Sequence, residues 1–237
     1  MKENKDYNVD NIIKRLKSLS NPEAVKGMAK YGINLEKNLG VSIPHLRQIA
    51  REIGRNHKLA LNLWATGIHD ARILAGMIGE PDKVSEKQIE QWICEFDSWD
   101  VCDEVCMNLF EKLPLAYKKA VEWSSRNEEF VKRAGFTLMA RLAVSDKKAE
   151  DEKFIELFPC IKKESADSRN YVKKAVNWAL RQIGKRNLNL NKMAVKVGEE
   201  IYSLDSKSAR WIASDALREL KSEKVLRRLI DKENRNK

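Results

Sequence analysis

Short helical sequences recur along this chain at a spacing of about 40 residues. Residues 130–134 (FVKRA) resemble residues 171–175 (YVKKA), which lie 41 positions later. Residues 179–183 (ALRQI) resemble residues 216–220 (ALREL), which lie 37 positions later. A repeat of this length has room for two helices, and one such pair cannot bury its apolar face alone. The chain is therefore expected to fold by stacking similar helix pairs on one another.

The rest of the chain is patterned as helix too, because apolar residues recur with helical spacing and strand alternation is absent. Gly and Pro together make 15 of 237 residues, which leaves few tight turns. We expect an all-α fold of HEAT or armadillo-like antiparallel helix pairs, forming a single curved superhelix. One domain is expected over residues 1–237, with a disordered basic tail at 233–237. From residue 58 onward the predicted helices are 58–66, 69–79, 85–95, 99–111, 114–123, 128–143, 149–161, 169–184, 187–203, 206–220 and 223–234.

Positive charge is concentrated in the second half of the chain. Residues 1–120 hold 18 Lys and Arg against 17 Asp and Glu, whereas residues 121–237 hold 27 against 18. Stacking of the repeated helices would align many of these cations along one concave groove, which is typical of a polyanion-binding surface. Convex surfaces also carry Lys and Arg, so that alternative stays open. The cations on the repeated helices are Lys132, Arg133, Lys173, Lys174, Arg181, Lys185, Arg210 and Arg218.

Several classes of protein and of site are disfavoured. No stretch approaches the roughly 18 apolar residues of a transmembrane helix, and the first residues, MKENKDYNVDNIIKRL, lack the apolar run of a secretory signal. Cys102 and Cys106 lie one helical turn apart, but a zinc site would need CxxC-type spacing with nearby His, and the three His are far upstream. We expect a cytoplasmic monomer (nucleoid-associated if the source is prokaryotic) with no metal, cofactor or membrane partner.

The segment FDSWDVCD at residues 96–103 contains the first candidate site. Ser98 is suited to cap a helix whose first turn contains Asp100. Trp99 and Asp103 are four residues apart and so fall on one face of that helix. An indole beside a carboxylate can receive a cationic ligand, although the same pattern also fits a half-buried Trp that anchors a helix start.

A second candidate, Trp178, lies on the basic repeated helix predicted at 169–184. It falls beside the apolar stripe of that helix and shares a side with Lys174 and Arg181. A Trp flanked by cations on a basic helix indicates a functional surface more strongly than a Trp within an apolar core stripe does. The remaining tryptophans are interpreted as packing residues: Trp64, Trp92, Trp123 and Trp211.

Taken together, these motifs resemble the AlkD-like DNA alkylation repair glycosylases, over about residues 8–230. WDVCD at 99–103 matches the family's W-D-x-x-D motif, whose Trp and second Asp are the active-site pair. Further matches are Arg133 with the family's functional Arg, Trp178 with its second active-site Trp, Arg181 with a DNA-contacting Arg, and Tyr31 with an aromatic near the lesion.

This resemblance implies a monofunctional DNA glycosylase that removes cationic N3- or N7-alkylated purines from double-stranded DNA during base excision repair. A cationic purine leaves as a neutral base, so no general acid is needed. Asp103 would stabilise the oxocarbenium-like sugar and orient the attacking water, while Trp99 and Trp178 would hold the lesion nucleotide. Arg133 would hold a phosphate. Further DNA contacts are expected from Arg181, Tyr31 and three solvated lysines, Lys132, Lys173 and Lys174.

Two other functions stay open at this point. A non-catalytic HEAT-like module could bind RNA, or DNA of a particular structure, through the same basic groove without needing Asp103. A protein–protein scaffold is the commonest use of HEAT arrays, by analogy of fold. The salt dependence of binding distinguishes a nucleic-acid-binding protein from a protein–protein scaffold. Affinity for a polyanion falls steeply as salt rises, whereas affinity through apolar contacts does not.

Overall fold

Polar caps begin many of the helices. In the computed structural model, which describes residues 7–235, the side chains of Asn8, Asn21 and Asn56 each accept a hydrogen bond from a backbone N–H of the following first turn. Such caps satisfy amide groups that have no partner inside the helix. Residues 7–235 contain no strand and no helix that is both long and apolar enough to cross a bilayer. Later helices capped in the same way follow Ser85, Asn187 and Ser206.

The chain divides after Leu113 into two compact units. The α-helices described in the first unit are α1 (Val9–Ser18), α2 (Pro22–Met28), α3 (Ile43–Ile53), α4 (His57–Ala65), α5 (His69–Ile78), α6 (Glu86–Cys94) and α7 (Trp99–Asn108). Those in the second unit are α8 (Ala116–Ser124), α9 (Glu129–Ser145), α10 (Asp151–Ile155), α11 (Phe158–Glu164), α12 (Asn170–Gly184), α13 (Leu188–Tyr202), α14 (Lys207–Leu220) and α15 (Glu223–Arg235). The expectation of a single domain over residues 1–237 stays a prediction.

Aromatic side chains form the centre of the first unit. Trp64 of α4 stacks on Trp92 of α6, with ring centroids 4.0 Å apart and planes 5° from parallel. Phe96 lies edge-on to Trp64 at 6.0 Å, and Phe110 lies 6.4 Å from Trp92. Buried rings of this size contribute much of the hydrophobic stabilisation of a small unit. Because α5 packs against both α4 and α7, the start of α7 rests on this packed core.

The second unit is built from stacked helix pairs. Helices α9, α12 and α14 pack on one another in succession as one layer, while α8, α11 and α13 do so as another. Each of the pairs α8–α9, α11–α12 and α13–α14 contributes one helix to each layer. The repeated sequences all lie on α9, α12 and α14. The prediction of an all-α, HEAT-like repeat fold is confirmed, while the single curved superhelix and its basic groove stay predictions.

Gly135 brings α9 into backbone contact with α8. A Cβ atom at this position would lie 2.5 Å from the amide nitrogen of Ser124 and 2.8 Å from the carbonyl oxygen of Ala120. Any larger residue would force these two backbones apart, which a close-packed interior resists. Gly135 therefore sets the position of the helix that carries Lys132 and Arg133.

The helix predicted at 149–161 is in fact two helices. α10 ends at Ile155, and α11 begins at Phe158 with Pro159 in its first turn. Proline has no amide hydrogen, and within a continuous helix its ring would clash with the carbonyl of Ile155, four residues earlier. The break at Pro159 therefore follows from local sterics.

The C-terminal end is helical further than expected. α15 continues to Arg235, so residues 233–235 of the predicted disordered tail belong to a helix. Lys232 Nζ donates to the backbone carbonyl of Arg186 at 2.8 Å, which ties this end of α15 to the second unit. Residues 236–237 of the predicted tail lie outside the described residues.

Candidate functional site

The start of α7 positions the active-site pair predicted in the first unit. The helix begins at Trp99, and Asp103 lies one turn later, with both side chains partly exposed. The indole Nε1 of Trp99 donates to the backbone carbonyl of Tyr31 at 3.0 Å, which fixes the direction of the ring. The phenol ring of Tyr31 is itself 71% exposed. Tyr31 and Trp99 are thus brought together, and a carboxylate follows one helical turn away.

A buried ion pair lies at this helix start. Asp100 Oδ2 is 3.0 Å from His69 Nε2, and Asp100 Oδ1 accepts from the Ser98 hydroxyl and from the Val101 amide. Burial raises the pKa of Asp100, but His69, Ser98 and Val101 outweigh it, so this pKa lies below its ordinary value. Burial lowers the pKa of His69, but contact with Asp100 and its charge raise it overall. At pH values between the lowered pKa of Asp100 and the raised pKa of His69, both side chains are charged.

Sequence reasoning did not find this pair. Asp100 does lie in the first turn of α7, as predicted, but its carboxylate is directed to a histidine on α5 rather than to the helix dipole alone. Ser98 occupies the N-cap position without making a side-chain capping bond. Its hydroxyl donates to Asp100, and its oxygen accepts from the Asn34 amide at 3.4 Å. His69 is 31 residues away, and no local pattern links the two positions. Only the packing of α5 on α7 brings them together.

Negative charge accumulates on α7 beside Asp103. Burial raises the pKa of Glu104, and the charges of Asp103 and Asp100 raise it further against the opposing effects of Asn108 and Arg47. Arg47 Nη2 lies 3.8 Å from Glu104 Oε1. His69 and Arg47 balance part of this negative charge. Carboxylates attract a cationic group and repel a bare phosphate, so this helix can receive a cationic ligand.

In the second unit, Arg133 and Lys132 are both buried in α9. Arg133 Nη1 donates to the backbone carbonyl of Tyr171 at 2.7 Å. Lys132 Nζ makes a short ion pair with Glu164 and lies 3.4 Å from Asp167 Oδ2. The prediction that Lys132 is solvated is wrong, because two carboxylates of its own unit enclose it. A lysine held in this way is not available to a DNA phosphate.

Trp178 and Arg181 lie on α12, and both are partly exposed. Arg181 Nη1 is 2.7 Å from Glu219 Oε2, and its Nε is 3.8 Å from Asp215 Oδ2. Lys185 donates to the other oxygen of Glu219 at 2.7 Å. A phosphate that binds Arg181 would therefore compete with carboxylates already in place.

The recurrence of cations on α9, α12 and α14 comes in part from ties between neighbouring repeats. Arg133 reaches from α9 to the backbone of α12, whereas Arg181 and Lys185 reach from α12 to Glu219 of α14. These cations join neighbouring repeats, but they do not stand at matching repeat positions, because Arg133 corresponds to Lys174, which is exposed. These contacts explain part of the charge pattern without any ligand.

Lys174 is exposed, whereas Lys173 lies over the ring of Trp211, with Nζ 4.9 Å from the ring centroid. Trp211 is 42% exposed, so its interpretation as a packing residue is wrong. An exposed indole beside a cation is a suitable stacking surface for a nucleic-acid base. The other three tryptophans interpreted as packing residues are buried, which confirms that prediction: Trp64, Trp92 and Trp123.

Cys102 and Cys106 are buried in α7, whereas Cys94 is exposed. Across residues 7–235, no group of three or more His, Cys, Asp or Glu side chains is arranged to hold a metal ion.

Comparison with known proteins identifies the family. A 26% identical stretch of 133 residues, covering 54% of this chain and 59% of each relative, is shared with uncharacterised proteins of Listeria innocua and Listeria monocytogenes. The chain thus spans about three fifths of the length of these curated relatives. A solved structure from a family related to the HEAT-like repeat DNA glycosylases, with affinity for branched DNA structures, superimposes with a TM-score of 0.75. It is 23% identical, and the match covers 90% of this chain and 95% of that one. The family model described as DNA alkylation repair enzyme matches residues 12–220, so the chain belongs to the DNA alkylation repair enzyme family.

Proposed function

We propose that this protein is a DNA glycosylase that removes cationic N3- or N7-alkylated purines from duplex DNA. The observation that carries the proposal is the start of α7, where Trp99 and Asp103 lie one turn apart among other carboxylates. The Trp99 ring is held in one direction by the carbonyl of Tyr31. A fixed aromatic face next to negative charge suits a lesion that is itself a cation.

The chemistry needs few groups. When the N-glycosidic bond breaks, its electron pair goes to the alkylated purine, which leaves as a neutral base without a general acid. The sugar becomes oxocarbenium-like at C1′, and the ionised carboxylate of Asp103 stabilises that charge. Water directed by the same carboxylate then adds to C1′, and its proton passes through that carboxylate to solvent. Trp178 is proposed, on its family motif, to contribute a second aromatic face to the lesion nucleotide.

The proposed enzyme is monofunctional, which means that it removes the base without cutting the DNA strand. A lyase step would need a desolvated, uncharged lysine to form a Schiff base. Lys132, the buried lysine of the predicted set, is engaged by Glu164 and Asp167 as an ion pair. The exposed Lys174 is surrounded by solvent and suits a phosphate contact.

The proposed DNA contacts are Lys174, Lys173, Arg181, Tyr31 and Arg133. Exposure favours Lys174 and Tyr31 for this role. Arg181 and Lys173 would exchange an internal partner for a phosphate. For Arg133 the proposal rests on the family motif, because its side chain is buried. Lys132 is left out of this set.

A second candidate function is binding to branched DNA without base removal. The solved relative that has affinity for branched DNA structures matches 90% of this chain, which makes this alternative specific. It requires the DNA contacts but not the carboxylate chemistry of Asp103. The two candidates therefore differ in whether a free base is produced.

Base release distinguishes these candidates. Duplex DNA treated with a methylating agent is incubated with the protein, and free 3-methyladenine and 7-methylguanine are measured by mass spectrometry. The glycosylase proposal predicts both bases above the level in the protein-free control. Absence of release, together with tight and salt-sensitive binding to a three-way junction, would favour the second candidate.

A buried and an exposed lysine of the second unit allow a structural role and a DNA-binding role to be tested separately. Lys132→Gln is expected to lower the free energy of unfolding by roughly 1–3 kcal/mol, because Glu164 and Asp167 lose their buried cation. Lys174→Gln is expected to leave stability unchanged and to reduce the slope of log K against log salt for duplex DNA by about 1. Urea unfolding and DNA titrations at several salt concentrations measure both effects. A reversed result would show that the assignment of the two lysines is wrong.

A further inference from the structure

A cavity of about 840 Å³ lies in the second unit, and most of the charged residues that line it are cations. It lies where the C-terminal ends of α9 and α12 meet the start of α13 and one side of α15. Two acidic residues, Asp151 and Glu233, also line it. None of the residues proposed above for catalysis or DNA contact belongs to this cavity. Its cations are Lys147, Lys185, Arg186, Arg228, Lys232 and Arg235.

Most of this positive charge is not neutralised by carboxylates. Arg186 is 9% exposed and donates to the backbone carbonyls of Ala143 and Ala149, at 3.2 and 2.7 Å. Lys232 donates to the carbonyl of Arg186, and Arg228 donates to the carbonyl of Lys185. A carbonyl satisfies a donor but leaves the cation with its full charge. Of the six cations that line the cavity, Lys185 alone forms an ion pair with a carboxylate among residues 7–235, and its partner is Glu219.

The cations lie close enough to affect one another. Burial lowers the pKa of Lys232, and the charges of Lys147, Arg186 and Arg228 lower it further. Like charges held together in this way repel, which costs free energy in the unliganded protein. An anion placed among them would remove that cost.

Asp151 opposes this charge, because its carboxylate raises the pKa of Lys232 against burial and the three cations. Both oxygens of Asp151 accept from side-chain amides, those of Asn187 at 2.6 Å and Asn189 at 2.8 Å. Asn187 also caps α13, whose N-terminal end therefore lies at the cavity. A helix N-terminus adds a partial positive charge to the side chains around it.

We propose that this cavity is a binding site for clustered phosphate groups. Several converging Arg and Lys side chains match the multiple charges and the many acceptor oxygens of phosphate. The size of the cavity allows two or more linked phosphates. Their source is either the backbone of a DNA strand or a free oligophosphate, and both present the same chemistry to the site.

Pyrophosphate is the probe for this site. Its binding to the 237-residue chain is measured by calorimetric titration and by the change in thermal unfolding. Lys147→Gln removes an exposed cation of the cavity, and the adjacent Lys148→Gln removes an exposed cation outside it. We expect pyrophosphate to bind the wild type and Lys148→Gln equally, and Lys147→Gln severalfold more weakly. This pair tests the site without breaking an internal hydrogen bond of either side chain.

A stronger pair of variants on α15 extends the test. Arg228→Gln with Lys232→Gln removes two cations of the cavity, and Lys224→Gln with Arg227→Gln removes two exposed cations of the same helix outside it. The first double variant is expected to bind pyrophosphate at least about tenfold more weakly, and the second to bind as the wild type does. Equal binding by both double variants, or none by the wild type, would overturn the proposal.

DNA-binding measurements on the same variants identify the source of the phosphate. If a DNA strand occupies the cavity, Arg228→Gln with Lys232→Gln reduces the salt slope of DNA binding by about 1–2, and the matched control does not. An unchanged slope with lost pyrophosphate binding would assign the site to a free oligophosphate. Pyrophosphate binding does not depend on base release, so this test can fail while the glycosylase proposal stands, and the reverse.

Discussion

Asp103→Asn is expected to slow base release by about 10²–10³-fold, which corresponds to roughly 2.7–4 kcal/mol of transition-state stabilisation. The amide has nearly the shape of the carboxylate but no charge to place near the oxocarbenium-like sugar. DNA affinity is expected to stay the same or to rise slightly, because a negative charge near the DNA has been removed. Single-turnover base release and a DNA titration on the same preparation measure both quantities.

Asp82→Asn is the matched control for this variant. Asp82 is exposed in the first unit, so its substitution changes net charge by the same amount away from α7. We expect wild-type release from this control. If Asp103→Asn unfolds the protein, Asp103 has a structural role, and if it releases base at the wild-type rate, the proposed carboxylate chemistry is wrong.

Asp100→Asn is expected to lower the free energy of unfolding by about 3–5 kcal/mol, because it leaves the buried His69 without its counter-ion. The matched control is Asp97→Asn, which lies three residues earlier and has a 46% exposed side chain. Loss of an exposed partner of this kind costs about 0–1 kcal/mol. Denaturant unfolding near pH 5, where both side chains of the pair are charged, distinguishes the two variants. Equal losses would show that the His69–Asp100 pair does not stabilise the helix start.

The contribution of this pair is also expected to depend on pH. The pKa of His69 is raised in the folded protein, so its stabilisation is complete below 6.5 and is lost as pH rises through the raised value. The pKa of Asp100 is lowered, so its stabilisation is complete above 3.8 and is lost as pH falls through the lowered value. The stability gap between wild type and Asp100→Asn should be widest between these limits and should narrow on both sides. A gap that stays constant over the accessible pH range would contradict the charged pair.

The repeat and the helix pattern predicted the fold well because both depend on local periodicity. The repeated sequences at 130–134 and 171–175 fall on adjacent helices of one layer. Pro159, by contrast, was a visible signal for a helix break that the apolar pattern outweighed. Local sterics at one proline here decided a boundary that periodicity alone placed incorrectly.

The contacts that sequence could not predict join residues far apart in the chain. His69 meets Asp100 through the packing of α5 on α7, and Lys132 is buried because Glu164 and Asp167 come from a different helix pair and its loop. The cationic cavity draws its side chains from five helices and the loops between them. None of these arrangements leaves a mark within a short window of sequence. Charge counts alone therefore identified the basic half of the chain but not which cations are neutralised.

The most direct measurement compares a cationic and a neutral leaving base in one DNA sequence. Two otherwise identical duplexes, one with 7-methylguanine and one with hypoxanthine at the same position, are incubated with excess protein, and free base is followed with time. Because the proposed site supplies a carboxylate but no general acid, release of 7-methylguanine and retention of hypoxanthine are expected. Release of both bases at similar rates, or of neither, would contradict the account.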